Sequence, residues 1–399
     1  MSSVSPGGEA WGCYVHVPWC RAQCPYCGFY VVAGAGAPAW APYVGRVVAE
    51  HAERSLAYPG PAATVYLGGG TPSRLPAEAL AGLLGAIPRA EGAEVSAEAN
   101  PEDVSDAWLE GALAAGVNRL SLGVQSFDPA VAGRLGRAHT SRQESEAMAR
   151  VAARMGARLG SGGLRSWSID LIFAVPGQSL EQLDADLDRI VGMGAPHVSI
   201  YGLTIEPETA FSRAHARGRL PEVGEDLWRA MYDRIVERLG QAGIHRYEVS
   251  NFAREGHRCA HNRLYWSDRA YLGLGPGAHS YAPDGTRTLN APDLAGYLAG
   301  TAPREVERPD PRQRAGDLLV SGLRGIEGLS RDRLRSRTGL DVAEDARQQL
   351  VALGVLQDHG DRLVLTGPGF PMADGVARRL LDTLLPAGDG VSGGPGRSG

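Results

Sequence analysis

Short apolar runs recur along the first two thirds of the chain, and between them apolar positions fall at helical spacing. The runs are "CYVHV" (13–17), "TVYLG" (64–68), "EVSAEA" (94–99), "RLSLGV" (119–124), "SIDLIF" (168–173), "HVSIYGL" (197–203) and "HRYEVS" (245–250). Stretches such as "DAWLEGALAAG" (106–116) and "SLEQLDADLDRIVGMG" (179–194) separate them. Strand–helix alternation of this kind predicts parallel strands joined by crossover helices. The runs are apolar on both faces, as strands covered on both sides must be. No G-x-G-x-x-G follows the first run, so a full or partial (β/α) barrel fits better than an open dinucleotide sheet.

The pattern changes after residue 282. Residues 283–310 are rich in Pro, Gly and Thr and read as a linker. Beyond it, "RAGDLLVSGLRG" (314–325) and "LSRDRLRSRTG" (329–339) read as short helices. "VAEDARQQLVALGVLQDHGDRLVLTGPG" (342–369) reads as helix, turn and hairpin. The expected organisation is an α/β protein: a tail over 1–11, a core barrel over 12–282, the linker, a small winged-helix-like α+β domain over 311–386, and a disordered tail over 387–399.

Composition narrows the function. A net charge of −5 and a pI near 6.1 argue against coating nucleic acid. The acidic "GLDVAEDARQQ" (339–349) makes the C-terminal unit a docking or covering module rather than a DNA reader. No stretch approaches the length of a membrane span, and the start lacks a basic segment followed by an apolar run, so a cytoplasmic location is expected.

Three of the five cysteines fall within eight positions: Cys20, Cys24 and Cys27, spaced C-x3-C-x2-C after the first strand. Structural zinc wants four protein ligands. A zinc site would need His16 or the remote Cys259 to complete it. Iron–sulfur clusters take one thiolate for each iron. Three thiolates on a cubane would leave one iron open to a small molecule. Cys13 and Cys259 read as a buried apolar residue and a loop residue.

In parallel barrels chemistry gathers at the carboxyl ends of the strands. The cysteine loop, "GGGTP" (68–72), Glu98 with Asn100 and Pro101, Gln125 with Ser126, and Asp170 with "PGQ" (176–178) all fall there. Gly68, Gly69 and Gly70 would allow close backbone approach to a ligand, with Thr71 adding a hydroxyl. Glu98, Gln125 and Asp170 can accept or donate hydrogen bonds, and Arg137 can pair with a carboxylate. Taken singly, each could also be a structural ion pair.

The triad together with "YVHVPWC", "CPYCGFY", "GGGTPS", "EANPE", "GVNRLSLGVQSFD", "GRAHT", "DLIFAVPGQ", "YGLTIEPET", "YEVSNFA", "HNRLYW" and "YLGLGPGAHS" resembles the radical S-adenosylmethionine (SAM) superfamily. Within it the chain is similar to the group containing oxygen-independent coproporphyrinogen III dehydrogenase and the HemW haem chaperones. The resemblance covers roughly residues 12–385 and implies a partial (β/α)6-type TIM barrel. It implies a [4Fe–4S] cluster on Cys20, Cys24 and Cys27 whose open iron binds SAM. It implies SAM contacts from Tyr14, Tyr26, Gly69, Gly70, Thr71, Glu98, Gln125, Arg137 and Asp170. His261, Asn262, Tyr265 and Trp266 match an H-N-x-x-Y-W motif implicated in haem binding, with His261 the candidate axial ligand. No catalytic residue is assigned.

Three activities are open: a haem chaperone that passes haem to an acceptor protein, the dehydrogenase, and a methyltransferase or cyclopropanase. Phe29 stands where the dehydrogenase has a further cysteine, which favours the chaperone. A reductant such as flavodoxin or ferredoxin is the implied electron source. Gly28 in place of Asp, Ala174 in place of Gly, and an inserted "LGSGGLRSWS" (159–168) depart from the group's pattern.

Overall fold

The computed structural model describes residues 9–34, 36, 39–137, 140–156 and 163–387. Most of both expected tails, the start of the 159–168 insertion, and Ala138 and His139 of "GRAHT" lie outside the described residues. The chain divides into two compact units. The first runs to Tyr265 and resumes at Arg269–Glu307; the second comprises Trp266–Asp268 and the residues from Arg308 onward.

Twelve strands form the main sheet of the first unit. They are β1 (Gly12–Val17), β2 (Ala62–Gly69), β3 (Arg89–Ala99), β4 (Arg119–Gln125), β5 (Ser166–Phe173), β6 (His197–Gly202), β7 (His245–Arg246), β8 (Asn251–Ala253), β9 (Tyr271–Leu274), β10 (His279–Tyr281), β11 (Arg287–Asn290) and β12 (Arg304–Glu307). Their order is β12-β11-β10-β9-β1-β2-β3-β4-β5-β6-β8-β7. From β9 through β1 to β6 each strand is parallel to the next, whereas β9 to β12 pair antiparallel. The six predicted core strands are present, with β3 beginning earlier than its apolar run implied. The crossover helices start as their sequences dictate: Ser179 and Gln182 form a capping box before Leu180–Met193, and Ser105 caps Asp106–Ala115. Helix Asp106–Ala115 ends at Gly116 with φ +107°.

Two expectations for this unit are corrected. Only His245–Arg246 of "HRYEVS" is strand, and it pairs antiparallel with β8, which pairs antiparallel with β6. The Glu248 carboxylate accepts from Ser250 N and Asn251 Nδ2, folding the chain back between the two short strands. The stretch 283–310 does not behave as a linker up to Glu307. It carries β11, β12 and helix Leu294–Ala299. Polar and glycine-rich composition suggested a linker, but one buried side chain organises the region. Glu50, on helix Trp40–Arg54, is fully buried and accepts hydrogen bonds from Arg54 (2.8 Å), Gly275 N (3.0 Å), Asn290 Nδ2 (2.8 Å) and Tyr297 OH (2.7 Å).

The second unit begins at helix Pro311–Arg324, entered through an Asp310/Gln313 capping box with Pro at the first turn. Helices Arg331–Thr338 and Glu344–Ala352 follow, then the hairpin Leu356–Asp358 with Arg362–Leu365. Leu329–Ser330 pairs with the hairpin as a third strand. Helix–helix–helix–hairpin is the predicted order; the added helix Ala373–Asp382 was not anticipated. Leu318, Leu319, Leu334, Leu363 and Leu380 are buried in this unit, and Asp268 is bound by Arg314 (2.9 Å) and Arg333 (2.7 Å). No helix among the described residues is long and apolar enough to cross a membrane.

Replacing Glu50 with Ala would take the acceptor from Gly275 N and Tyr297 OH and one of the acceptors from Arg54 and Asn290. Breaking a buried charged network in this way costs about 3–5 kcal/mol. Urea unfolding of Glu50→Ala should show that loss, with faster amide exchange concentrated in residues 271–307.

Candidate functional site

The cysteine loop leaves β1 and is held at both ends by backbone. Trp19–Cys20 pairs with Val32–Ala33, and Gly34 N donates to Cys20 O at 3.0 Å. Between them Cys27 N donates to Cys24 O at 3.1 Å, closing a turn that begins Cys24-Pro25. Phe211 N donates to Pro25 O at 2.9 Å, tying the loop to the far side of the barrel. The three thiols are half-buried and unbridged, whereas Cys13 and Cys259 are buried.

Each of two thiols faces a donor: Thr71 Oγ1 lies 3.4 Å from Cys20 Sγ and Arg137 Nη1 lies 3.7 Å from Cys24 Sγ. Burial pushes the Cys20 thiol up, against the opposing hydrogen bond from Thr71, and pushes Cys27 up to about 11. Left to themselves these groups are neutral; a bound cation is what would hold them as thiolates. Among the described residues no group of three or more His, Cys, Asp or Glu side chains is placed to hold one metal ion. A cubane takes each thiolate on a different iron and does not require convergence on one point. The donor set, three partly open thiols beside an arginine, fits such a cluster.

His16 is not available to the thiols. Its Nε2 is 2.8 Å from Tyr30 O and its Nδ1 is 3.1 Å from Tyr14 OH.

The glycine turn does a different task from the expected one. Gly69 N donates to Glu98 Oε2 (3.1 Å), Gly70 N to Val17 O (2.8 Å) and Thr71 N to Trp19 O (2.8 Å). These amides are committed within the protein, so they do not form an open cradle. The glycines are needed because the chain passes so close. A Cβ on Gly70 would sit 2.7 Å from Val17 O, and one on Gly69, at φ +103°, would collide with the His16 ring.

Below the rim, Tyr14, Tyr66, Glu98, Gln125 and Asp170 project inward half-buried from β1 to β5. Tyr201 on β6 is 44 % exposed, yet surrounding protein pushes its phenol up, as expected of a side chain lining a lumen. Glu98 is pushed up to about 7 by burial and by the Asp170 charge, despite hydrogen bonds from Tyr66 OH (2.9 Å) and Gly69 N. Burial raises Asp170 too, against bonds from Ser121 (2.8 Å) and Ser168 (3.2 Å). Two carboxylates in one lumen repel, and a cationic guest would relieve both. Gln125 adopts φ +72°, a left-handed conformation uncommon for glutamine and a form of backbone strain found at ligand sites.

Arg137 does not present an open fork for a ligand carboxylate. Its Nη2 donates to Asn100 Oδ1 (2.6 Å) and Gly123 O (2.5 Å), and only Nε is buried without a partner. Tyr26 packs against Phe211 beside Cys24, consistent with a place at the rim.

The structure parts the H-N-x-x-Y-W residues from this rim. His261 is buried at the opposite end of the strands, beside the starts of β1 and β2. Its Nδ1 lies 2.7 Å from Thr64 Oγ1 and its Nε2 2.8 Å from Tyr265 OH. Burial lowers it to about 3, so the imidazole is neutral with both nitrogens engaged. In this structure neither ring nitrogen is open to a ligand. Glu94 caps its helix through Ala260 N and His261 N, each at 3.0 Å. Asn262 is half-buried on the same helix, and Trp266 groups with the second unit, where Arg324 lies 5.6 Å over its ring.

Further residues build the site, and of these Tyr66, Tyr201 and Asp186 were not singled out from sequence. His16 and Asn100 position the glycine turn and Arg137, and Tyr66 and Tyr201 line the lumen. Tyr66 sits two positions before Gly68 on β2, so strand alternation alone would have found it. Asp186 braces the end of β4, accepting from Ser126 Oγ (2.7 Å) and Phe127 N (2.8 Å), and burial pushes it up to about 6.

A cysteine loop at the carboxyl rim of a partial parallel barrel, above a lumen of carboxylates, defines a radical SAM protein. A radical SAM superfamily profile matches residues 14–190, and a HemN C-terminal domain profile matches residues 310–372. The heme chaperone HemW of Mycobacterium tuberculosis H37Rv is 38% identical over 395 residues, covering 94% of this chain and 95% of its own. HemW of Escherichia coli K12 is 35% identical, covering 89% and 94%. The structure of coproporphyrinogen III oxidase (HemN) from E. coli superimposes with a TM-score of 0.76 over 93% of this chain and 90% of its own, at 19% identity. The chain belongs to the HemW family.

Because the folded Glu98 carboxyl sits near 7, above its unfolded value of 4.5, the fold binds its proton more tightly. Stability from this group is full below the ordinary carboxyl range and is lost as pH rises through about 7. The expected span is about 3 kcal/mol for the ligand-free protein. Urea melts across this range should show that slope, and Glu98→Gln should flatten it.

Proposed function

We propose that the chain is a haem chaperone of the radical SAM type. It would bind haem and pass it to an acceptor protein, and would keep a [4Fe–4S] cluster with exchangeable SAM. The observation that carries this reading is the identity with heme chaperones named HemW, which extends through both units of the chain.

Cys20, Cys24 and Cys27 would hold the cluster, which when bound supplies an open iron for SAM and an electron for its sulfonium. Thr71 and Arg137 stabilise the Cys20 and Cys24 thiolates by donating to them. Glu98 and Asp170 provide the negative lumen that a sulfonium or ammonium group would enter. Tyr14 and Tyr201 flank that lumen, Tyr26 lies at its rim, and Gln125 reaches it from the end of β4. Flavodoxin or ferredoxin is the class of reductant proposed, in a cytoplasmic setting.

His261 is a structural residue in this proposal. It is bonded through both ring nitrogens inside the barrel base, and a haem iron has no lone pair to take there. In this proposal the haem iron is held elsewhere on the chain.

Two measurements test these assignments. Anaerobic reconstitution should give one [4Fe–4S] cluster per chain, and Cys20→Ala, Cys24→Ala or Cys27→Ala should abolish it. Stoichiometric zinc without iron would overturn the cluster. In a haem titration His261→Ala should leave the Soret maximum of the bound haem in place, while lowering stability by about 2–4 kcal/mol for a lost buried, hydrogen-bonded side chain. A shifted Soret band would return His261 to the iron.

A further inference from the structure

Six rings form an unbroken line from the lumen to the base of the barrel. Tyr14 stacks on Tyr66 with centroids 6.3 Å apart, and Tyr66 stacks on His261 at 5.2 Å. His261 meets Tyr265 edge-on at 5.0 Å, Tyr265 meets Tyr271 edge-on at 4.7 Å, and Tyr271 stacks on Tyr281 at 6.2 Å. Tyr281 is half-buried on β10, directly opposite Tyr271.

Packing alone does not call for this composition. The line uses five of the thirteen tyrosines and none of the six phenylalanines, although phenylalanine fills an apolar interior without a hydroxyl to satisfy. The phenols toward the lumen each have a partner able to take a proton. Tyr66 donates to Glu98 at 2.9 Å, Tyr14 shares a hydrogen bond with His16 at 3.1 Å, and Tyr265 shares one with His261 at 2.8 Å. Oxidising a phenol at moderate potential requires its proton to leave with the electron. A phenol–base pair supplies that exit, and rings in near contact carry the electron.

We propose that the line Tyr14–Tyr66–His261–Tyr265–Tyr271–Tyr281 is an electron-transfer path that drains oxidising equivalents from the lumen to the barrel base. The inference rests on the reading of the lumen as a radical SAM site. There a stray carbon-centred radical would otherwise attack the protein around it. Such a radical takes a hydrogen atom from Tyr66 and becomes a closed-shell C–H. Tyr265 then returns one electron to Tyr66 across the His261 ring, and its own proton passes to His261. Glu98 re-protonates Tyr66 and is replenished from water in the lumen. Tyr271 then reduces Tyr265, which takes its proton back from His261, while Tyr271 gives its own proton to water. Tyr281 reduces Tyr271 in turn, releasing its proton to water as Tyr271 is re-protonated from water. At Tyr281 a solvent thiol gives up one electron and one proton and leaves as a thiyl radical.

The test avoids dependence on cluster or SAM. A ruthenium polypyridyl photo-oxidant is attached to Cys24 in the full-length, cluster-free Cys20→Ser/Cys27→Ser chain and oxidised by flash-quench. Transient absorption and freeze-quench electron paramagnetic resonance should show a tyrosyl radical whose decay accelerates with added glutathione. Tyr265→Phe should trap the radical on the lumen side and remove the glutathione response, and Tyr281→Phe should weaken it. Tyr281→Trp should restore it, which a merely structural role would not produce. Equal yields and equal glutathione sensitivity in all the variants, or no tyrosyl radical in the unsubstituted line, would overturn the path. Loss of iron or SAM binding by the native chain would instead count against the site reading, and is measured separately.

Discussion

The carboxyl rim depends on how near the end of β2 can come to the end of β1. Gly70 N and Thr71 N donate to Val17 O and Trp19 O across that gap, so the glycine turn and the start of the cysteine loop form one backbone unit. A side chain at Gly70 would stand 2.7 Å from a carbonyl oxygen, and one at Gly69 would meet His16. The loop that carries three thiols has almost no regular structure of its own, and its position is borrowed from this contact. Thr71 then delivers its hydroxyl to Cys20 with no freedom left to search. Preorganisation of this sort makes a ligand site from a loop.

The second constraint is electrostatic. A barrel interior that were only packed would hold Val, Ile and Leu in layers. Here the carboxyl half holds Glu98 and Asp170 among phenols, and each carboxylate is stabilised by hydroxyl and amide donors rather than by a dedicated cation. The amino half behaves in the opposite way. Glu94 is spent on a helix N-terminus and His261 on Thr64 and Tyr265, so the polar groups there close on one another. One end of the barrel holds two buried carboxyls facing a lumen, and at the other end Glu94 and His261 are engaged by neighbouring groups.

Much of this was legible in the residues. The six parallel strands follow from two-faced apolar runs, and the rim residues follow from their place after those runs. What was hidden was of two kinds. Glu50 looks like any helix carboxylate, and only the fold shows it collecting donors from Gly275, Asn290 and Tyr297, which turned an apparent linker into sheet. His261 sits in a motif whose spacing is the same whether the imidazole faces a ligand or Thr64, so its role could not be read along the chain. Ala174 is the reverse case. Its departure from glycine was visible, and the structure supplies the reason glycine suits the position, because φ there is +57°.

Strand β1 is bordered on one side by β2 and on the other by β9, whose paired residues lie 259 positions later (Gly12 with Tyr271). Parallel pairing at that separation is slow, since the intervening chain must be ordered before the contact repays it. During synthesis the ribosome releases the β1 edge long before Tyr271–Leu274 exists to cover it. The nascent chain therefore passes through an interval with one naked strand edge beside the cysteine loop, and that edge is covered only by a late segment of translation.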